Sequence, residues 1–140
     1  MVKYALAALF FIIFSFQSNG QDPFLFTVQT TLNGSTDSLS FHIGTNATEI
    51  YDYHIDINND GSIEYSNLTG DCTIAFLDTG IFQIAVSGVF PHLNNEENGD
   101  SKKIISVDQW GDNQWLSFNN MFRGAENMNV LALDTPNLSQ

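Results

Sequence analysis

Apolar and polar residues alternate along much of this chain, and the alternation predicts a series of short β-strands. The clearest case is segment 51–57, whose apolar positions are Tyr51, Tyr53, Ile55 and Ile57. A strand with this period buries one face and exposes the other. The segment runs directly into Asn58-Asn59-Asp60-Gly61, a composition that is typical of a tight turn.

The same alternation recurs at six other places before residue 108. Its apolar positions are Phe24, Phe26 and Val28; Leu39, Phe41 and Ile43; Ile63 and Tyr65; Cys72, Ile74 and Phe76; Phe82, Ile84 and Val86; and Ile105 and Val107. Short strands separated by turn residues, with no helical period between residues 22 and 107, favour two packed antiparallel sheets. The polar, aperiodic segment Asn94–Ser101 predicts a long exposed loop.

The pattern changes after Val107. Trp110 and Trp115 are followed by segment 117–127, which can form a helical turn, and by segment 128–133, a candidate short strand. A tail of about thirty residues is too small to bury its own apolar side. We therefore expect it to be the first unit of a repeat array, because each repeat buries its apolar face only against its neighbours.

The N-terminus is typical of a signal peptide. Lys3 supplies a positive charge, residues 5–16 are almost entirely apolar, and residues 17–20 are polar with small residues at suitable cleavage positions. The apolar run is shorter than the roughly 20 residues that a membrane-spanning helix needs. We expect a secreted or cell-surface protein whose mature chain starts near Gln21, without membrane insertion after signal cleavage.

The charge balance argues against nucleic acids and anionic membrane surfaces as partners. Four Lys and Arg residues stand against sixteen Asp and Glu residues, for a net charge of −12. Nucleic acids and anionic membrane surfaces require a basic footprint, which this chain lacks. Cys72 is the single cysteine, so an internal disulfide cannot form, and we expect stability to come from packing.

Several motifs resemble those of a known family. Tyr-x-Tyr-x-Ile-Asp with Asn59-Asp60-Gly61, then Thr69-Gly70-Asp71 and Gly80–Ile84, is similar to polycystic-kidney-disease (PKD) type Ig-like domains. Gln109-Trp110-Gly111 and Met121–Met128 resemble the N-terminal region of BspA-like leucine-rich-repeat surface proteins of bacteria. The resemblance covers about residues 24–140.

This resemblance implies a PKD-type Ig-like antiparallel β-sandwich followed by the start of a leucine-rich-repeat unit. The implied divisions are a signal peptide at 1–20, the sandwich at 21–107 and an incomplete repeat unit at 108–140, as in a truncated or minimal member. The family implies surface display and adhesion or protein recognition, with no catalytic residues to carry over. The chain departs from the family pattern at Ile57, Ala125 and Thr73-Ile74, where relatives carry an aromatic residue, a cysteine and a Thr-His pair.

Asp56, Asn58 and Asp60 form a candidate calcium site. Oxygen-bearing side chains at alternate positions, followed by Gly61, match the first half of a calcium loop. A complete loop carries a bidentate acid at its twelfth position, where this chain has Asn67. The alternative is that these side chains are local turn formers, which is the more common role of Asp and Asn in loops.

Trp110 and Trp115 have two interpretations: they stack on a sugar, or they seal the junction between the sandwich and the repeat unit. Motifs of serine hydrolases, zinc proteases and phosphate-binding loops do not occur in the sequence. We therefore expect a protein that is not an enzyme and that binds proteins or glycans at a cell surface, with the sandwich as spacer and cap for repeats. The alternatives are a carbohydrate-binding accessory module and a weakly calcium-stabilised extracellular module.

Overall fold

The described residues form eight strands in two sheets. The structure is a computed structural model that describes residues 20–96 and 99–139, so the predicted signal peptide lies, apart from Gly20, outside the described residues. The strands are β1 (Phe24–Gln29), β2 (Ser40–Ile43), β3 (Asp52–Asp56), β4 (Tyr65–Leu68), β5 (Cys72–Ala75), β6 (Ile81–Val89), β7 (Ile104–Gln109) and β8 (Asn129–Val130).

The larger sheet has six strands in the order β4-β3-β6-β1-β7-β8, and β2 pairs with β5 in a second sheet. The strand pairs are antiparallel except β7 with β8, which is parallel. Within the described residues, regular helix is limited to the 3-10 helix Ser101–Lys103. The predicted all-β class is confirmed, and the two sheets are consistent with a β-sandwich.

Alternate residues of the strands build one hydrophobic core. In β1 the inward residues Phe24, Phe26 and Val28 are fully buried, while their neighbours along the strand are half-buried. The buried apolar residues of β2, β3, β5 and β6 are Phe41, Ile43, Tyr53, Ile55, Cys72, Ile74, Ile84, Ala85 and Val86. Burial of one large apolar side chain contributes roughly 1.5–3 kcal/mol, so the alternation selects which face of each strand turns inward.

Three strand predictions need correction in detail. β7 buries Ile104 and Val107, and Ile105, the predicted inward residue, is half-exposed. The β1–β7 pairing contains two register shifts, and a bulge of this kind interrupts the alternation of faces. Leu39 and Ile63 precede β2 and β4 and are exposed, because their segments join the ladders one or two residues later than the pattern indicates.

The predicted exposed loop at residues 94–101 is wrong at both of its ends. Asn95, Asp100 and Ser101 are buried. Several of their polar atoms have partners inside the protein: Asn95 Oδ1 accepts a hydrogen bond from the Gly44 N–H at 2.9 Å, and Ser101 Oγ donates to Asn95 O at 3.0 Å. A hydrophobicity pattern cannot detect burial of this kind.

The C-terminal segment folds as turns around a short strand. Residues 119–124 form consecutive turns without a regular helix, and the predicted strand at 128–133 is reduced to β8. Trp115 and Met121 from this segment belong to the same buried cluster as the core residues of the strands. The division of the chain after residue 107 stays a prediction. In the part of the chain that the structure describes, every helix is too short to cross a bilayer.

Candidate functional site

The Asp56 carboxylate organises the loop that follows β3. Asp56 ends that strand and is buried. Its Oδ1 accepts hydrogen bonds from the N–H groups of Asn58 and Asp60, both at 3.2 Å, and its Oδ2 accepts from the Gly61 N–H at 2.7 Å. Gly61 has φ +92° and Asn59 has φ 54°, left-handed values that Gly and Asn adopt most readily.

The structure brings Asp56, Asn58 and Asp60 together, and hydrogen bonds within the loop orient them. Asn58 Nδ2 donates to Asp60 Oδ2 at 3.0 Å. The Ser62 N–H donates to Asp60 Oδ1 at 2.8 Å, and these hydrogen bonds lower the pKa of the Asp60 carboxyl. Asn67, at the twelfth position, lies in β4. Calcium prefers six to eight oxygen ligands, and its binding here stays a prediction.

Trp110 and Trp115 lie in an aromatic cluster between β1 and the C-terminal segment. Trp115 is 1% exposed, and its ring meets the rings of Phe24 at 4.9 Å, Phe118 at 5.6 Å and Trp110 at 5.8 Å between centroids. Trp110 also stacks on Phe24 at 6.1 Å. Sugar stacking needs an open ring face, which the buried Trp115 does not offer. The placement favours the junction role for this pair.

Parallel pairing links the C-terminal segment to β7 with a constant offset. Ser106 pairs with Asn129, Val107 with Val130, and the isolated bridge joins Gln114 to Asn137. Each partner lies 23 residues further along the chain. From Ser106 onward the chain therefore makes one turn of a coil, and the residues after that turn lie alongside its start. We call residues 110–139 the coil.

Side chain to backbone hydrogen bonds hold this turn in place. The Asp134 carboxylate accepts from the N–H groups of Trp110, at 3.0 Å, and Gly111, at 2.8 Å. The Asn127 amide donates to Lys102 O at 2.9 Å. The first contact joins the start of the coil to a residue near its end, and the second joins the coil to the residues just before β7.

The outer side of the coil carries exposed apolar residues. Val130, Leu131, Leu133 and Leu138 are each more than half exposed. β8 is an edge strand of the large sheet, so part of its backbone is unpaired in the described structure. We call these four side chains, together with the free side of β8, the coil edge.

His92 connects the sandwich to the coil and is the most enzyme-like feature of the described residues. Its Nε2 lies 2.6 Å from Asn119 O, and because a carbonyl only accepts, Nε2 is the donor. Its Nδ1 lies 3.4 Å from Glu49 Oε1, and Tyr51 donates its hydroxyl proton to His92 O at 2.9 Å. Burial raises the pKa of Tyr51 to about 12. The imidazole is buried, with Nε2 paired and Nδ1 close to the Glu49 carboxylate but without a hydrogen bond.

Sequence reasoning missed a buried charge pair, Asp100 with Lys103. The Lys103 ammonium is fully buried and donates to the carbonyl oxygens of Thr36, Asp37 and Ser40 at 2.6–3.1 Å. Asp100 Oδ2 accepts from Thr36 Oγ1 at 2.6 Å and from the His42 N–H at 2.7 Å. Burial opposes ionisation of Asp100, but these hydrogen bonds and the Lys103 charge lower its pKa overall. The sequence carries no signal for the pair beyond the presence of two charged residues near a strand.

Several cavities among the described residues are of a size that could hold a ligand, and two of them differ clearly in polarity. One, of about 580 Å³, lies between the sandwich and the coil and is lined by apolar residues that include Ile50, Val89 and Leu116. The other, of about 360 Å³, is polar and lies beside β2 and β5. Among the described residues, groups of three or more His, Cys, Asp or Glu side chains placed to hold a metal ion are absent.

No protein-family model, curated protein or solved structure matches this chain.

Proposed function

We propose that this chain is a non-catalytic exported protein of the cell surface that recognises other proteins. In this proposal a PKD-type Ig-like sandwich caps a leucine-rich-repeat coil. The observation that carries the proposal is the constant offset of 23 residues at three parallel-paired positions, two that join β7 to β8 and one within the coil. Leucine-rich repeats are about 20–29 residues long and stack their strands in parallel, so the offset fits one turn of such a coil.

The coil edge supports a recognition role. The sandwich covers one side of the coil, where Trp115 and Met121 are buried, and leaves Leu131, Leu133 and the other coil-edge residues exposed. Exposed apolar groups beside an unpaired strand favour contact with another protein, through added strand pairing and apolar burial. The net charge of −12 favours a neutral or basic partner surface.

Binding through the coil edge can be tested with matched charge substitutions. The double variant Leu131→Glu/Leu133→Glu places charges at the coil edge, and Leu77→Glu is the control, because Leu77 is fully exposed in the turn between β5 and β6. Immobilised wild type is expected to retain a defined set of surface proteins, which the control also retains and the double variant loses. Retention of nothing by the wild type, or of the same set by the double variant, contradicts the proposal.

Export has its own test. The full chain is expressed in a bacterium with a Sec pathway, and the exported fraction is analysed by intact-mass spectrometry. A product that begins near Gln21 is expected from the N-terminal pattern. Accumulation of the unprocessed chain in the cytoplasm would overturn this part of the proposal.

A further inference from the structure

The polar cavity beside β2 and β5 carries hydrogen-bonding groups that the fold leaves unused. It has a volume of about 360 Å³ and is lined by His42, Thr45, Asp71, Asn94, Asn95 and Glu96, among others. Because the described residues of the coil do not line it, the cavity is separate from the recognition surface proposed above. Its volume is within the range of small-ligand sites.

The carboxylate of Asp71 is anchored on one side and open on the other. Its Oδ1 accepts from the N–H and the hydroxyl of Thr45, both at 2.7 Å. Its Oδ2 lies 3.9 Å from His42 Nε2, and the Asp71 side chain is more than half exposed. The His42 ring is itself oriented by Thr73, whose hydroxyl lies 3.0 Å from Nδ1. A preorganised acceptor and an oriented imidazole therefore face the cavity.

Two neighbouring amides supply an unused donor and an unused acceptor. Asn95 is 1% exposed, and its orientation is set because Oδ1 accepts from the Gly44 N–H. Its Nδ2 has no hydrogen-bond partner among the described residues, and neither has Asn94 Oδ1. A buried polar group without a partner destabilises the folded protein, because it has lost its hydrogen bonds to water. A ligand that pairs with both atoms recovers that free energy.

The arrangement selects for hydroxyl groups. A hydroxyl donates and accepts at once, so adjacent hydroxyls can accept from Asn95 Nδ2 while donating to Asn94 Oδ1 and Asp71 Oδ2. An anion would be repelled by Asp71 and Glu96, and a metal ion could not use the Asn95 N–H donor. We propose that this cavity binds one polyhydroxylated sugar residue of a glycan.

The approach to the amides requires a small movement of the Asn94 side chain. Both unpartnered atoms are withdrawn from solvent, so they pay no further desolvation cost when a sugar hydroxyl reaches them. Asn94 is held by one long hydrogen bond, from Nδ2 to Thr45 O at 3.5 Å. Rotation of this side chain gives up little and opens the unpaired atoms to the ligand.

Ligand-observed NMR and calorimetry of the full chain test the proposal. The probes are the methyl glycosides of glucose, galactose, mannose and N-acetylglucosamine. At least one is expected to bind with millimolar affinity, and Asn94→Ala or Asp71→Asn is expected to weaken that binding by about tenfold, as loss of one hydrogen bond to the ligand does. The control is Asp78→Asn in the exposed turn before β6, which should leave the affinity unchanged.

Each outcome decides the question. Absence of binding by all four glycosides, or equal affinity in wild type and both cavity variants, overturns the proposal. Binding that is lost in Trp110→Ala and kept in Asn94→Ala would place a sugar site at the aromatic cluster instead, and also overturns it. Because Asp71 is exposed, the Asp71→Asn variant should fold even if Asn94→Ala does not. The coil-edge double variant should bind sugar normally, so failure here and failure of protein recognition are distinguishable.

Discussion

The sandwich, by which we mean the two sheets formed by β1–β7, and the coil bury their apolar side chains in different ways. Sandwich strands bury alternate residues between two sheets, so most of their large apolar side chains are covered by the sandwich itself. The coil buries Trp115 and Met121 against the sandwich and leaves its other side exposed at Leu131 and Leu133. The coil therefore depends on the sandwich for its packing, whereas the sandwich core is largely built from its own strands.

The two regions also differ in how their backbones are held. β1 pairs with β6 over six consecutive residues, and β3 pairs with β6 over five. The coil is attached to the sandwich through β8 and through single contacts such as those of His92 with Asn119 and of Asn127 with Lys102. Regions with few backbone pairings open with lower free energy than core strands. We therefore expect the coil to open before the sandwich unfolds.

The largest effect is expected at the junction of the two regions. Trp115→Ala removes a buried ring that contacts Phe24 and Phe118 and should reduce stability by about 4 kcal/mol. Chemical denaturation measures the loss, and hydrogen exchange should show the coil amides losing protection first.

Leu133→Ala is the control, because Leu133 is fully exposed and its truncation should change stability by less than about 0.5 kcal/mol. Equal loss of protection in the coil and in β1 of the Trp115→Ala protein would contradict the dependence of the coil on the sandwich.

The buried charge pair should matter almost as much. Lys103→Met leaves the Asp100 carboxylate buried without its cation, and the loss of stability should be about 3 kcal/mol. Lys102→Met is a matched control, since Lys102 is exposed and its ion pair with Glu126 spans 3.3 Å at the surface. That surface pair should contribute less than about 1 kcal/mol. Similar melting curves for the two variants would show that the buried pair does not stabilise the sandwich.

Acid should weaken the sandwich through two carboxylates. Burial opposes ionisation of Asp100 and Asp108, but hydrogen bonds from neighbours lower the pKa of both groups. When the pKa of a carboxyl is lower in the folded chain than in the unfolded chain, where it is about 3.9, the ionised carboxylate stabilises the folded state. This stabilisation is fully present above about pH 3.9 and is lost as the pH falls through the lower, folded-state pKa. Denaturation at a series of pH values should show stability falling below about pH 4, less steeply in Asp108→Asn. A stability that is flat down to pH 2 would contradict this.

A smaller effect is expected in the loop after β3. Gly61→Ala forces a residue with Cβ into φ +92°, at a place where the added carbon meets no atom within 4 Å. The cost is therefore backbone strain alone, about 1–2 kcal/mol. Gly70→Ala is the control, because it has equally open surroundings and lacks a left-handed φ. Equal stabilities of the two variants would mean that the loop relaxes without cost.

The smallest expected effect is that of calcium. Asp56 already accepts three backbone hydrogen bonds, so the melting temperature should be the same with excess calcium and with chelator. A ligand that binds only the folded state must raise stability. A melting temperature that rises with calcium and no longer does so in Asp60→Asn would place a calcium ion in this loop after all.

The parts of the fold that depend on neighbouring residues could be predicted from the sequence. The strand at Tyr53 and Ile55 and the turn at Gly61 follow from a period of two and from residue-specific backbone preferences. The side chains of the candidate calcium site lie together for the same reason, since they are two residues apart. The face of β7 was assigned wrongly at Ile105, because a bulge depends on the partner strand.

What the sequence by itself determined is the all-β class, the inward face of most strands and the acidic turn after β3, all of which are local consequences of side-chain order. Only the tertiary structure decided that Lys103 is buried beside Asp100, that Asn94 and Asn95 face a polar cavity, and that β8 runs parallel to β7 at an offset of 23 residues. These features join residues distant in the chain. Whether a charged or amide side chain is buried depends on which partners the fold brings within hydrogen-bonding distance.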